Sequence, residues 1–139
     1  MNDVLVNKIQ SIQRCIRRAR EEFQADPDGF ETNYSRQDAA ILNIIRACES
    51  TIDLANHVIR TKKLGIPLTS SDSFHLLQME GVITPDLTEK MKRMVGFRNL
   101  TVHQYSKIDL EIVVSVITRE LDHLIEFADA VLVFVDMGK

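Results

Sequence analysis

The feature that most restricts this chain is a set of apolar residues spaced by three and four, recurring through four long segments. Leu5, Ile9, Ile12, Ile16, Ala19 and Phe23 share one helical face. Arg17 with Glu21 and Arg18 with Glu22 form i,i+4 pairs on the wet side, and Asp26-Pro27-Asp28-Gly29 reads as the loop that ends this helix.

A second helix is predicted from about Arg36 to Lys63. Its stripe of Ile41, Ile45, Cys48, Ile52, Ala55 and Ile59 adjoins another of Ile44, Ala47, Thr51, Leu54 and Val58. Two adjoining stripes make a wide apolar face, which must pack against at least two other helices. The opposite side carries Glu49, Asp53, Asn56, His57 and Arg60, and Gly65 and Pro67 stop the helix. A short helix after Ser71-Asp72 buries Phe74 and Leu77. Thr84-Pro85-Asp86 then supplies an N-cap, an N1 proline and a first-turn acid, a strong helix start. Leu87, Met91 and Met94 keep the apolar phase, and Arg98 takes the next position in it. The last helix opens at Asp109, with a stripe of Leu110, Val114, Ile117, Leu121, Leu124, Ala128, Leu132 and Val135. Its Val131–Val135 run is rich in β-branched residues, but twenty residues of helical phase precede it.

The fold class is therefore all-α: an antiparallel up-and-down helical bundle of four long helices plus one short helix, one domain over residues 1–139. Five Gly, three Pro and no Trp provide too little turn chemistry for a many-stranded sandwich. A chain of 139 residues buries enough surface to need no disulfide or metal staple. Stripes on all four long helices, doubled on the second, exceed what one core covers, and a homodimer would absorb the excess. Cys15 and Cys48 match no metal or redox spacing and read as small buried hydrophobes. Asp3, Asn7 and Lys8 interrupt any signal-peptide pattern, and the apolar run Ala130–Val135 is too short to span a bilayer. A cytoplasmic protein with reduced thiols and no membrane contact is expected.

Several common sites are absent: no G-x-S-x-G elbow, glycine-rich phosphate loop or H-E-x-x-H helix is present. Glu49, Asp53 and His57 at i, i+4 and i+8 offer three donors to a divalent ion. The same spacing describes a solvated polar face, and neither metal nor cofactor is expected. His75 and His123 stand alone as surface or packing residues. Between Thr88 and Lys107, however, Lys90, Lys92, Arg93, Arg98 and Lys107 face only Glu89, a local +4 in a chain of net charge −3. Positive charge gathered in one helix and its loop suits a phosphate-binding cleft on an acidic protein.

Within that segment, Arg98 occupies a core phase, where an arginine is costly unless paired or facing a wet cleft. His103 lies five residues on, about 140° around an ideal helix, so the two converge only if the helix ends between them. The β-branched pair Thr101 and Val102 and the polar run up to Asp109 point to such an end. A histidine can accept the ribose 2′-hydroxyl proton or protonate a leaving 5′-oxygen, and a guanidinium can hold the phosphate and offset charge developing on it. Neither role needs a metal. Asn99 is placed to orient the histidine or the phosphate, and Tyr105 to hydrogen-bond substrate or stack on a base. As residues alone, Arg98 and His103 fit a structural role as well as this one.

Arg98-Asn99-x3-His103-x-Tyr105 resembles the R-x4-H-x-Y motif of HepT toxins, members of the HEPN superfamily. The resemblance extends to Asp53-Leu54-Ala55-Asn56-His57, Gly65-Ile66-Pro67, Phe74 before Leu76-Leu77, and Met94-Val95-Gly96-Phe97. It implies a helical bundle that dimerises and pairs two motifs in a basic cleft, acting as a metal-independent ribonuclease toxin. It also implies a nucleotidyltransferase antitoxin, MntA-like, that neutralises the toxin by transferring AMP to the motif tyrosine. Arg98 and His103 would then be catalytic, Asn99 supporting, Tyr105 the AMP acceptor and Asp53 a cleft residue. The alternative is a non-catalytic helical substrate-binding or adaptor subunit of the nucleotidyltransferase, for which an intact Arg98/His103 pair has no use.

Overall fold

The computed structural model describes residues 3–137, so the expected domain of 1–139 extends at each end over two residues outside the described ones. Helix α1 spans Asp3–Gln24, α2 Tyr34–Lys62, α3 Ser70–Met79 and α4 Pro85–His103. A 3-10 turn at Tyr105–Lys107 leads to α5 (Leu110–Ser115), which runs through a π-helical turn at Val116–Glu120 into α6 (Leu121–Asp136). No strand occurs among the described residues, and the bundle is the four-long, one-short arrangement that the periodicity predicts. The valine-rich stretch at 131–135 is helical.

The starts and stops are local chemistry. Asn33, Thr69, Thr84 and Asp109 each accept a backbone N–H of the first turn, capping α2, α3, α4 and α5. The loop before α2 is anchored by Phe30, which is 1% exposed and meets Phe23 edge-on at 5.3 Å, while Gln37 Nε2 donates to the carbonyls of Phe30 and Glu31. At the other end of α2 the left-handed cap falls on Lys63, at φ 56°, two residues before the expected glycine stop.

Helix α2 is the centre of the bundle. Both of its stripes are buried except for the half-buried Ile45. Packing against α1, α3, α4 and α6 covers them within one chain, so the doubled stripe by itself requires no second copy. Asn56 on α2 accepts the Ser73 hydroxyl of α3, and Phe74 of α3 meets Phe127 of α6 edge-on at 5.2 Å.

The last helix departs from its expected stripe at both ends. Leu110 and Val114 are only partly buried while Val113 is fully buried; Leu132 and Val135 are partly buried while Phe127 and Val131 are fully buried. The π turn is the reason: its wider winding re-phases α5 against α6, so no single 3.6-residue stripe describes both. Arg20 of α1 braces the turn, donating from Nε to the Ile117 carbonyl at 3.4 Å and from Nη2 to Asp122 at 2.7 Å. No helix among the described residues is long and apolar enough to cross a membrane.

Candidate active site

Arg98 leaves α4 toward α2. Its Nη2 donates to Glu49 Oε2 at 3.0 Å and its Nη1 to Asn99 Oδ1 at 2.9 Å. Its Nε is buried and makes no hydrogen bond among the described residues. The charge is tolerated at an apolar phase because the Glu49 carboxylate opposes it and the side chain stays partly open to water. Asn99 is exposed and engaged with the arginine rather than with His103.

The expected helix end between Arg98 and His103 does not occur. Helix α4 continues through His103. Thr101, one of the residues expected to stop it, is buried and donates its hydroxyl to the Arg98 carbonyl at 2.9 Å, and the Gln104 N–H closes the final turn on Leu100. Burial of one β-branched side chain and its back-bonded hydroxyl outweigh a weak propensity against helix. The two motif side chains therefore stay about 140° apart around one helix. His103 is exposed and has no side-chain hydrogen bond or ion pair among the described residues. Within one chain, the arginine turns to α2 and the histidine to solvent.

Tyr105 opens the 3-10 turn just past α4. It is 46% exposed, and its hydroxyl donates to the carboxylate of Asp38 on α2. Burial of the hydroxyl, then the hydrogen bond to Asp38 and that residue's negative charge, push the phenol pKa up to about 12, so it stays protonated. Asp38 lies 67 residues away in sequence, and nothing in its local context singles it out.

The metal reading of α2 does not survive the packing. Glu49 is committed to Arg98, and His57 is only 8% exposed rather than part of a polar face. Burial, then the neighbouring Arg60 and Lys8, lower the His57 pKa and hold the ring neutral. Among the described residues no group of three or more His, Cys, Asp or Glu is arranged to hold a metal ion. His75 is exposed, and His123 sits between Glu120 and Glu126, at 3.2 Å from each. Cys15 and Cys48 are free and buried, and burial pushes the Cys48 thiol up to about 12 despite the adjacent Arg98.

The basic segment is also less open than its composition predicts. Lys90 pairs with Asp86 at 3.0 Å, Lys92 with Glu89 at 3.6 Å and Arg93 with Glu120 at 3.7 Å. A groove of about 550 Å³ instead lies between α1 and α2, lined by Arg14, Arg18 and Arg46 together with Glu49 and Asp53. The expected Arg18–Glu22 pair is absent because Glu22 reaches Arg36 at 3.5 Å, whereas Arg17–Glu21 forms at 3.8 Å. Glu49 belongs both to this groove and to the Arg98 contact, so the groove and the motif share one side chain. Asp53 lies in the groove as well.

Comparison with known proteins agrees with the helical bundle and with the family resemblance. The family model described as "Ribonuclease HepT-like" matches residues 12–131. The mRNA nuclease HepT of Shewanella oneidensis is 44% identical over 131 residues, covering 94% of this chain and 98% of that protein. A solved tri-AMPylated Shewanella oneidensis HEPN toxin in complex with MNT antitoxin superposes with a TM-score of 0.90 at 43% identity, covering 96% of this chain and 99% of that one. A crystal structure of a toxin-antitoxin with AMP-PNP gives the same TM-score at 42% identity, covering 95% and 99%. With a match that runs from the first helix to the last, the chain belongs to the Ribonuclease HepT-like family.

Proposed function

We propose that this protein is the toxin of a toxin–antitoxin pair, a ribonuclease that cleaves RNA by attack of the ribose 2′-hydroxyl on the adjacent phosphorus. The observation that carries the chemistry is the state of the two motif side chains. Arg98 is a guanidinium braced by Glu49, a residue that also lines the α1–α2 groove, and His103 is an uncommitted imidazole about 1.4 turns further along the same helix. His103 accepts the 2′-hydroxyl proton as the 2′-oxygen bonds to phosphorus. Arg98 holds the phosphate oxygens and offsets the charge that develops on them. The bond to the 5′-oxygen breaks, that oxygen takes a proton from an imidazolium, and a 2′,3′-cyclic phosphate remains.

The separation of the two side chains around α4 favours a homodimer as the working form. A two-fold axis near the motif lets one copy complete the other's site and supplies a second histidine for the leaving oxygen. Leu100 and Val102, on the motif's own turns, are exposed and suit such a contact. Tyr105, half exposed beyond His103, is the acceptor for AMP from a nucleotidyltransferase antitoxin; an added phosphate there competes with RNA for Arg98. The working compartment is the cytoplasm, where RNA and reduced thiols such as Cys15 and Cys48 go together.

The test compares RNA cleavage by the purified protein with and without EDTA, and with Arg98→Ala and His103→Ala. Activity that survives chelation, yields cyclic phosphate ends and disappears in both folded variants is the expected result. Cleavage undiminished in either variant would refute the assignment. Sedimentation of the active species at the mass of two chains checks the dimer.

A further inference from the structure

Arg14 and Arg18 stand one turn apart on α1, and Arg46 lines the same groove from α2. All three are exposed, and none makes an ion pair or side-chain hydrogen bond among the described residues. Glu21 is taken by Arg17, Glu22 by Arg36 and Glu49 by Arg98, which leaves Asp53 as the one unpaired carboxylate in the groove among the described residues. Like charges at i,i+4 oppose folding, and three arginines against one free carboxylate leave an excess of positive charge that a bound anion would offset. Between the two helices the hydroxyls of Ser11 and Ser50, which also line the groove, are hydrogen-bonded to each other at 2.9 Å.

We infer that this α1–α2 groove is a subsite for the RNA backbone, in which Arg14, Arg18 and Arg46 bind phosphates flanking the one held by Arg98. The inference rests on the ribonuclease reading and extends it away from the motif. The link is Glu49, which lines the groove and grips the Arg98 guanidinium, so the groove and the phosphate-holding arginine lie on either side of one side chain. No aromatic side chain lines it, so bases have no platform to stack on, and binding there is to phosphate and sugar rather than to sequence. Asp53, the carboxylate in the groove that makes no ion pair among the described residues, is a ready acceptor for a ribose 2′-hydroxyl, a contact that DNA cannot supply.

The test measures binding of a labelled single-stranded RNA by the full-length His103→Ala protein across a salt series, with wild-type cleavage of the same RNA run alongside. Adding Arg14→Ala, Arg18→Ala and Arg46→Ala together should weaken binding at least tenfold near 0.1 M salt. It should also flatten the logarithmic salt dependence by about 2, since each single-strand phosphate contact contributes about 0.7. Lysines at the three positions should restore most of the binding, which a merely structural role would not predict. Unchanged affinity and slope in the triple alanine variant, while wild-type protein cleaves, overturns the subsite alone. A variant that keeps RNA binding but loses the antitoxin, or changes its oligomeric state, assigns the arginines to a protein interface and overturns it too. Wild-type protein that cleaves no RNA removes the ribonuclease reading itself.

Discussion

Along α4, Lys90, Lys92, Arg93 and Arg98 each reach a carboxylate, at 3.0, 3.6, 3.7 and 3.0 Å. Across the α1–α2 seam, Arg14, Arg18 and Arg46 reach none among the described residues. In sequence the contrast runs the other way, because α4 is the basic run and the seam arginines are scattered among acids. A helix offers counter-ions at i±3 and i±4, as Asp86 and Glu89 show, and a bundle adds those of its neighbours, as Glu49 and Glu120 show. Dense charge along a chain is thus easily neutralised in space. Sparse charge on two facing helices can remain unanswered. On α4 the pairing holds side chains in place, and in the seam the lack of pairing leaves them available to a ligand.

The largest effects that sharpen this contrast belong to the two motif residues. Arg98→Ala and His103→Ala should each reduce cleavage by about 10²–10⁴-fold or more. Thermal melts should show about 1 kcal/mol or less lost in Arg98→Ala, because the pair with Glu49 is partly exposed. Unfolding of either variant would mean that α4 holds these residues for packing. A smaller effect is expected at Tyr105. Tyr105→Phe removes the hydrogen bond to Asp38 and should cost about 0.5–1.5 kcal/mol. It should leave growth arrest intact and abolish the AMP adduct when an active antitoxin is coexpressed. Mass spectrometry locating the adduct on another peptide would sink the assignment of Tyr105.

The smallest effect is the most direct comparison, because it is one of sign. Lys90→Ala removes an i,i+4 pair and should lower stability by about 0.3–0.5 kcal/mol. Arg14→Ala or Arg18→Ala relieves repulsion and should raise it by about 0.2–0.5 kcal/mol. Urea titrations at low salt separate the two, and both shifts should shrink in 1 M salt. Equal signs would erase the distinction between the regions.

The helices were legible because their signals are local. Thr84-Pro85-Asp86 caps α4 as read, and the two stripes of α2 are buried as read apart from the half-buried Ile45. The motif was legible as a pattern, but its geometry was not. Whether α4 ends before His103 depends on Thr101 finding a buried seat and the Arg98 carbonyl, a tertiary outcome with no sequence mark. His57 looked polar by type and is buried by packing. Asp38 and Arg46 escaped notice for a shared reason: their partner or companions lie on other elements, and no short window along the chain contains them.

The π turn at Val116–Glu120 bears on how this helix tolerates changes of length. An extra residue in a regular helix swings everything beyond it by about 100°. Here the widened turn takes up the surplus, with Val113 above it and Leu121 and Leu124 below it all facing the core. Deleting one residue from 116–120 would heal the winding and force one flank to rotate against the other, expelling Val113 or Leu121. A homologue shorter by one residue at this point must therefore carry its apolar pattern shifted on one side of the gap. Aligning such chains by matching letters alone would pair inward-facing residues with outward-facing ones.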